Sequence, residues 1–170
     1  MVENCHHNHF SEYKRYVGVA YLQKIIQKTT QMEKEIKSSI LLSIFKRKGG
    51  EGTFTKIIDA GNSSVYKKEL DHLLADEEGV IICKKDDQNW FLLTNQRVLQ
   101  ASNGILNFIL NNDLKTVRPS LEEEQKNILI DKRGLTMLTL EDSTGKKNII
   151  NLEEGAPYNG IYQVLHFISG

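Results

Sequence analysis

The sequence predicts an α+β fold in which an antiparallel bent β-sheet or sandwich is closed by a C-terminal helix and preceded by N-terminal helices. Three observations predict this class. Apolar residues recur at helical spacing over residues 10–45, alternate with a period of two after Gly79, and return to helical spacing after Asn159. A meander of strands followed by one amphipathic helix indicates a sheet whose open end is covered by that helix.

Length and composition fit one ordinary domain with an appendage. The chain has 170 residues, of which 39% are hydrophobic and 26% charged, and this composition is typical of a protein with a buried core. Basic and acidic side chains number 22 each, so no net charge favours nucleic acid as a partner. Only residues 1–48 are basic, with 9 basic and 4 acidic side chains.

Residues 10–45 predict helix, because they contain no proline and one glycine and their apolar residues step mostly by three, four or seven. The apolar stripe is narrow, so the pattern fits either one long helix or two helices broken near Thr29-Thr30. One helix of about 36 residues would extend roughly 54 Å, which is longer than a domain of this size is wide. A second copy of the chain could then cover the overhanging stripe.

A glycine-rich linker follows these helices. Lys46-Arg47-Lys48-Gly49-Gly50-Glu51-Gly52 combines charges with three glycines and offers no apolar side chain for burial. We place the main boundary here, with a helical N-terminal extension and linker at residues 1–52 and a β domain at residues 53–170. Residues 64–170 are expected to fold alone.

Two short helical segments are predicted to lead the β domain. Thr53 can cap a first turn, and Ser64 can cap a second, amphipathic helix. Their apolar residues are Phe54, Ile57 and Ile58 in the turn and Tyr66, Leu70, Leu73 and Leu74 in the helix.

From Gly79 onward, strand-like runs alternate with turn sequences. The predicted strands are residues 80–84, 90–101, 105–110, 127–131, 135–141 and 147–152, with Pro119 and Pro157 outside them. Asn103-Gly104 favours a type I′ turn and therefore a hairpin. A final helix capped by Asn159 carries Ile161, Val164, Leu165 and Ile168 on one face.

Residues 72–99 carry a recurring pattern of a helix ending in Leu73-Leu74, an acidic turn, a strand, and a second strand that contains Thr94-Asn95-Gln96-Arg97. This pattern resembles the opening of bacterial pleckstrin-homology-like domains and of the related GRAM group. With matches near Leu114 and Val117 and in the last helix, the resemblance covers about residues 64–170. It implies a bent sheet of about seven strands with a C-terminal helix, and a recognition role without catalysis.

The motif residues also have a direct physical interpretation. Thr94-Asn95-Gln96-Arg97 interrupts an apolar run with side chains suited to a local bend or bulge. The resemblance does not imply lipid binding, because the first hairpin reads Lys84-Lys85-Asp86-Asp87 and its aspartates would cancel the field of the lysines beside a phosphate.

The sequence contains no Gly-rich phosphate loop, no Gly-x-Ser-x-Gly, no His-Glu-x-x-His and no Cys-x-x-Cys. We therefore expect no enzyme activity and no cofactor. Cys5-His6-His7-Asn8-His9 contains residue types that bind zinc, copper or nickel. Its spacing fits no standard structural zinc site, so we interpret it as a frayed chain end with incidental histidines.

Two further features allow two interpretations each. Lys46-Arg47-Lys48, behind Leu41, Leu42, Ile44 and Phe45, could dock residues 36–48 on an anionic membrane, but the helix dipole and ordinary packing explain them as well. Trp90 and Phe91 could mark a ligand pocket, and we favour a place in the core. The acidic runs at residues 76–78 and 122–124 are interpreted as solvated.

The sequence therefore predicts a noncatalytic interaction module that binds a protein partner or self-associates, through a strand edge or the groove beside the final helix. The alternatives are a peripheral membrane-associating protein that docks through residues 36–48, and a small-molecule binder or uncharacterised enzyme. Cys83 lies in an apolar run, and no signal peptide or membrane span is visible, so we expect a cytoplasmic protein.

Overall fold

The computed structural model describes residues 36–122 and 134–170, and these residues lie in one compact unit, Glu35–Gly170. The unit is α+β, with two antiparallel sheets of five and three strands and a C-terminal helix, which confirms the predicted class. The helical prediction for residues 10–35 and the strand predicted at residues 127–131 lie outside the described residues.

The larger sheet contains five antiparallel strands in chain order. They are β1 (Thr55–Ile57), β2 (Gly79–Lys84), β3 (Trp90–Thr94), β4 (Arg97–Ser102) and β5 (Ile105–Leu110). Asn103 and Gly104 connect β4 to β5 with φ angles of 50° and 76°. These positive angles are those of the predicted type I′ hairpin turn, which favours asparagine and glycine.

The smaller sheet contains three antiparallel strands. They are β6 (Leu114–Pro119), β7 (Met137–Asp142) and β8 (Lys147–Asn151), and a 3-10 turn at Asn111–Asp113 joins β5 to β6. Pro119 is the last residue of β6, not outside the strand as predicted. A terminal position tolerates proline because a missing N–H costs little there.

The sheets are accompanied by helices α1 (Ser38–Lys48), α2 (Lys67–Leu70) and α3 (Ala156–Ser169). Helix α3 begins three residues before the predicted cap, since Pro157 occupies its first turn, where proline is well tolerated. The N–H of Asn159 donates to Gly155 O instead. Lys37 has φ −59° and ψ 126°, so α1 begins after it and one continuous helix over residues 10–45 is excluded.

One large core joins the sheets to α1 and α3, and a smaller core lies on the opposite face of the larger sheet. The helical members of the large core are Leu41, Phe45, Tyr158, Ile161, Val164 and Leu165, with Ile168 packed at its margin. The apolar face predicted for the last helix is therefore confirmed. The smaller core contains Ile82, Trp90, Leu92, Leu99 and Ala101, covered by Ile58, Tyr66, Leu70 and Leu73.

Helices α1 and α3 meet at two glycines. A Cβ atom on Gly160 would lie 2.7 Å from Phe45 Cδ2, and a Cβ atom on Gly49 would lie 2.5 Å from Gly160 Cα. Asn159 Nδ2 also donates a hydrogen bond to Lys48 O. The glycine segment at residues 49–52 is thus a connection within the compact unit, and its first glycine permits the close approach of the two helices.

The segment before β2 differs from its prediction. The residues after Thr53 form strand β1, which pairs with β2, rather than a capped turn. The Glu153 carboxylate accepts the N–H groups of Thr53, Phe54 and Thr55 at 2.6–2.9 Å and holds the start of this strand. The predicted helix from Ser64 is reduced to the four residues of α2. Turns follow it, and Leu74 is 58% exposed.

Candidate functional site

Strand β5 is an outer edge of the larger sheet within the part of the chain that the structure describes. Its side chains are unusually apolar for an edge, since Ile105 is 68% exposed, Phe108 56% and Leu106 42%. The strand contains no charged residue and no proline. Charges, prolines or a covering element normally protect such an edge from pairing with another strand, so β5 is the candidate interaction site.

The exposed side chains extend the smaller core. Leu106 lies opposite Ala101, and Phe108 lies opposite Leu99. Paired residues in an antiparallel ladder share a face, and Ala101 and Leu99 belong to the smaller core. Ile109 points to the other face, where it is buried in the large core. The residues that cover the smaller core therefore leave the side chains of Leu106 and Phe108 exposed.

The hydrogen-bond pattern shows which backbone groups of β5 are available. A two-residue turn makes Ser102 and Ile105 a hydrogen-bonded pair, and Asn111 N donates to Gln96 O at 2.8 Å at the other end of the ladder. Hydrogen-bonded residues alternate in such a ladder, so the N–H and C=O groups of Leu106, Phe108 and Leu110 point away from β4. These groups, with the side chains of Leu106 and Phe108, are called the β5 edge surface below.

A buried ion pair between Arg97 and Glu77 contacts the Phe108 side chain of the β5 edge surface. Arg97 Nε lies 2.9 Å and 3.1 Å from the two carboxylate oxygens of Glu77, and Arg97 Nη2 donates to Glu77 Oε2 at 2.8 Å and to His72 O at 2.8 Å. Glu77 is 7% exposed. The guanidinium Cζ lies 5.3 Å from the centroid of the exposed Phe108 ring, at which distance a cation attracts an aromatic face.

Glu77 is ionised in this environment. Burial raises the pKa of its carboxyl group, but hydrogen bonds from Arg97, Thr94 Oγ1 and the Leu74 N–H outweigh burial and hold the pKa below its usual range. The prediction that residues 76–78 are all solvated is therefore wrong at Glu77. Residue 122 is exposed as predicted, and residues 123 and 124 lie outside the described residues.

The motif residues Thr94, Asn95 and Arg97 form the turn between β3 and β4, which confirms the predicted bend and divides the single strand expected at residues 90–101. Thr94 Oγ1 accepts the N–H groups of Gln96 and Arg97 at 3.1 Å and 2.8 Å. Asn95 Oδ1 accepts the Glu78 N–H at 2.9 Å. The motif thus fixes the turn that places Arg97 against the face of the Phe108 ring.

Part of the predicted membrane-docking segment, residues 36–48, is buried in the core. Lys46, Arg47 and Lys48 are exposed at the end of α1, but Leu41 and Phe45 are fully buried. Two of the four side chains expected to insert into a bilayer therefore pack inside the protein. In the described ranges, no helix combines the length and apolar character needed to cross a bilayer.

Trp90 and Phe91 are core residues, 7% and 1% exposed. They line a groove of about 190 Å³ together with Lys85 and Asn151. Lys85 Nζ donates to Asn151 Oδ1 at 2.6 Å. Sites for small ligands usually enclose about 300–1,000 Å³, so the groove is small for a ligand pocket.

The first hairpin pairs its own charges. Lys84 Nζ lies 2.8 Å from both Asp87 and the buried Glu69, and Lys68 Nζ lies 2.8 Å from Asp87. The hydrogen bonds from Lys68 and Lys84 lower the pKa of Asp87 to about 2. Lys84 is therefore engaged by carboxylates of the same domain.

No group of three metal-binding side chains comes together among residues 36–122 and 134–170. The cluster from Cys5 to His9 lies outside these ranges, so its interpretation stays a prediction. Cys83 is a buried free thiol as expected, and burial raises its pKa.

Comparisons of the chain with protein-family models, curated proteins and solved structures found no match. The resemblance to pleckstrin-homology-like and GRAM domains therefore stays a prediction.

Proposed function

We propose that this chain is a noncatalytic interaction module with a pleckstrin-homology-like domain, and that it binds an extended protein segment by strand addition at the β5 edge surface. The observation that carries the proposal is a sheet edge that is uncharged, apolar and unpaired among the residues that the structure describes. Such edges bind a partner strand through backbone hydrogen bonds, and neighbouring side chains provide selectivity.

The order of elements supports the family part of the proposal. Strands β2 to β5 form one antiparallel series, β6 to β8 form a second, and α3 follows them. This order agrees with the seven strands and final helix that the sequence resemblance implies. Strand β1 is an addition at the edge opposite β5, where it pairs with β2.

The geometry of β5 defines how a partner strand would bind. Leu106, Phe108 and Leu110 direct their backbone groups outward, so an added strand can form hydrogen bonds at every second residue. Each such bond contributes about 0.5–1.5 kcal/mol net. Side chains of the added strand would contact Leu106 and Phe108 on the outer face, which favours apolar residues at alternate positions.

The experiment is a selection of displayed random peptides on the full chain, compared with the variant Leu106→Lys. A lysine on an edge strand opposes strand addition, whereas Val65→Lys is a matched control at an exposed site outside β5, where the side chain is 69% exposed. We expect peptides with alternating apolar residues to bind the natural chain and the control at least tenfold more tightly than Leu106→Lys. Equal binding to all three proteins, or no selected peptide, would overturn the proposal.

Amide hydrogen exchange provides a second measurement on the same complex. The N–H groups of Leu106 and Phe108 should become protected when a selected peptide binds, because they point outward. Asn107 should change little, because its N–H already bonds β4. Protection elsewhere with no change at Leu106 and Phe108 would place the peptide on another surface.

A further inference from the structure

We propose that the strand that adds to β5 is β5 of a second copy of this chain, so that two larger sheets join into one continuous sheet across a twofold axis. The inference rests on the proposed function and names its partner. It follows from the self-complementarity of the strand, from its lack of charged residues, and from the ion pair between Arg97 and Glu77.

An antiparallel pair of identical strands is symmetric by construction. Residues that face each other across such a pair share one side of the sheet, which restricts the register. When the axis passes midway between the two copies of Phe108, these two residues face each other. Leu106 of each copy then faces Leu110 of the other. All the outward backbone groups of Leu106, Phe108 and Leu110 are then paired, and the arrangement closes as a dimer without leaving this edge open.

The charge distribution is compatible with a second copy as the partner. Near a twofold axis, each charged side chain meets an identical one, and like charges directly opposite destabilise a strand pair. Strand β5 carries no charge at all. The charged side chain in contact with Phe108 is Arg97, and its guanidinium lies 2.8 Å from a Glu77 oxygen. Two copies can therefore approach without repulsion between their arginines.

The apolar side chains match under the same symmetry. Phe108 is 56% exposed and Leu106 is 42% exposed in one copy, and both lie on the outer face beside the axis. Pairing brings the two Phe108 rings and the Leu106 and Leu110 side chains into one apolar cluster. Because a strand-edge interface is small, we expect a dissociation constant in the micromolar range rather than an obligate dimer.

Sedimentation velocity of the full chain from about 1 to 200 µM tests the proposal, in a concentration range set by this weak affinity. We expect a reversible monomer–dimer equilibrium for the natural chain and for Val65→Lys, and a monomer at all concentrations for Leu106→Lys. Circular dichroism melting of the three proteins establishes that Leu106→Lys remains folded. A monomeric natural chain at all concentrations would overturn the second copy as partner.

A cross-link tests the register in a Cys5→Ser background. The symmetric pair places the two Phe108 Cα atoms about 5.5 Å apart, which is within the range of a disulfide, so Phe108→Cys should give a linked dimer on mild oxidation. Val65→Cys is the matched control and should stay unlinked. A dimer that persists in Leu106→Lys and shows no Phe108→Cys link would assign self-association to another surface.

These results separate the two proposals. A monomeric chain that still binds selected peptides, with the binding weakened by Leu106→Lys, would remove the second copy and retain strand addition. A chain that neither dimerises nor binds peptides at β5 would remove both.

Discussion

Arg97 connects the turn between β3 and β4 to the exposed edge of the sheet. Its guanidinium contacts the buried Glu77 carboxylate on one side and lies over the Phe108 ring on the other. A buried charge that loses its partner is strongly destabilising, whereas an exposed pair contributes little. The same residue therefore affects the stability of the domain and the position of the ring at the β5 edge surface.

Arg97→Met should lower the free energy of unfolding by about 3–5 kcal/mol at pH 7, because it leaves the Glu77 carboxylate buried without its cation. Arg118→Met is the matched control, since Arg118 and Glu141 lie 4.0 Å apart and their side chains are 56% and 31% exposed. The control should cost less than about 1 kcal/mol. Chemical denaturation measures both, and equal losses would contradict a structural role for the buried pair.

The pH dependence of the same variants has a defined sign. The pKa of Glu77 in the folded protein lies below its ordinary value of 4.5, so its stabilisation is complete above about pH 4.5 and is lost as pH falls through the folded pKa. In Arg97→Met, the pKa of Glu77 should be higher than in the natural chain, because the hydrogen bonds from the guanidinium no longer oppose burial. The difference in stability between natural chain and variant should therefore shrink as pH falls from 7 towards 4.

The sequence predicted one part of this cluster and missed the other. Thr94 was correctly placed in a bend, because its side chain accepts N–H groups two and three residues further along the chain. Asn95 was placed there because it interrupts an apolar run. Glu77 was interpreted as solvated, because its partner Arg97 lies 20 residues further along the chain. Burial of a charge depends on such a distant partner, and local polarity does not reveal it.

Elements bounded by strong turn sequences were predicted well. Strand β5 has its predicted limits, since Asn103-Gly104 begins it and Asn111-Asn112-Asp113 ends it. Strand β1 was missed, because three residues are too short for a periodic pattern and they form a strand by pairing with the distant strand β2. From the sequence, the candidate site could be predicted only as the edge of some strand. Identifying β5 as that edge requires the order of strands in the sheet, which the structure provides.

Helices α1 and α3 approach each other as closely as glycine allows. Gly160 lies beneath the fully buried Phe45 ring, and the Cα of Gly49 would lie 3.2 Å from a Cβ atom on Gly160. Alanine normally stabilises a helix interior by about 1 kcal/mol relative to glycine. Here the added methyl group meets a ring and a backbone that have little room to move.

Gly160→Ala should therefore destabilise the protein by about 1–3 kcal/mol, since overpacking outweighs the gain in helix propensity. The double variant Gly160→Ala/Phe45→Leu provides the control, because leucine leaves room for the new methyl group. Its loss should be smaller than the sum of the two single losses. Additive losses in thermal unfolding would show that Gly160 does not contact Phe45.

At the scale of the whole molecule, the chain on both sides of the glycine segment contributes to one core. Leu41 and Phe45 of α1 are fully buried beside residues of α3 and of both sheets. Composition indicated a spacer at residues 49–52, because glycine and charge are typical of linkers. Glycine also permits close backbone approach, and composition alone does not distinguish these uses.

Three fragments test this arrangement. We expect residues 36–170 to unfold cooperatively, residues 53–170 to be markedly less stable because they lack α1, and residues 64–170 to show no cooperative transition because they also lack β1. This expectation reverses the earlier one that residues 64–170 fold alone. Thermal melts followed by circular dichroism measure all three, and equal melting temperatures for the first two fragments would contradict it.

The contact between α1 and α3 also has a consequence for protein synthesis. The ribosome completes α1 at Lys48 but reaches the end of α3 only at Ser169, and at roughly 5–20 residues per second this takes about 6–24 s. During that interval, Leu41 and Phe45 have no α3 to pack against. The nascent domain therefore cannot close its core before α3 has emerged from the ribosome, and chaperones that bind apolar segments have this interval to act on it.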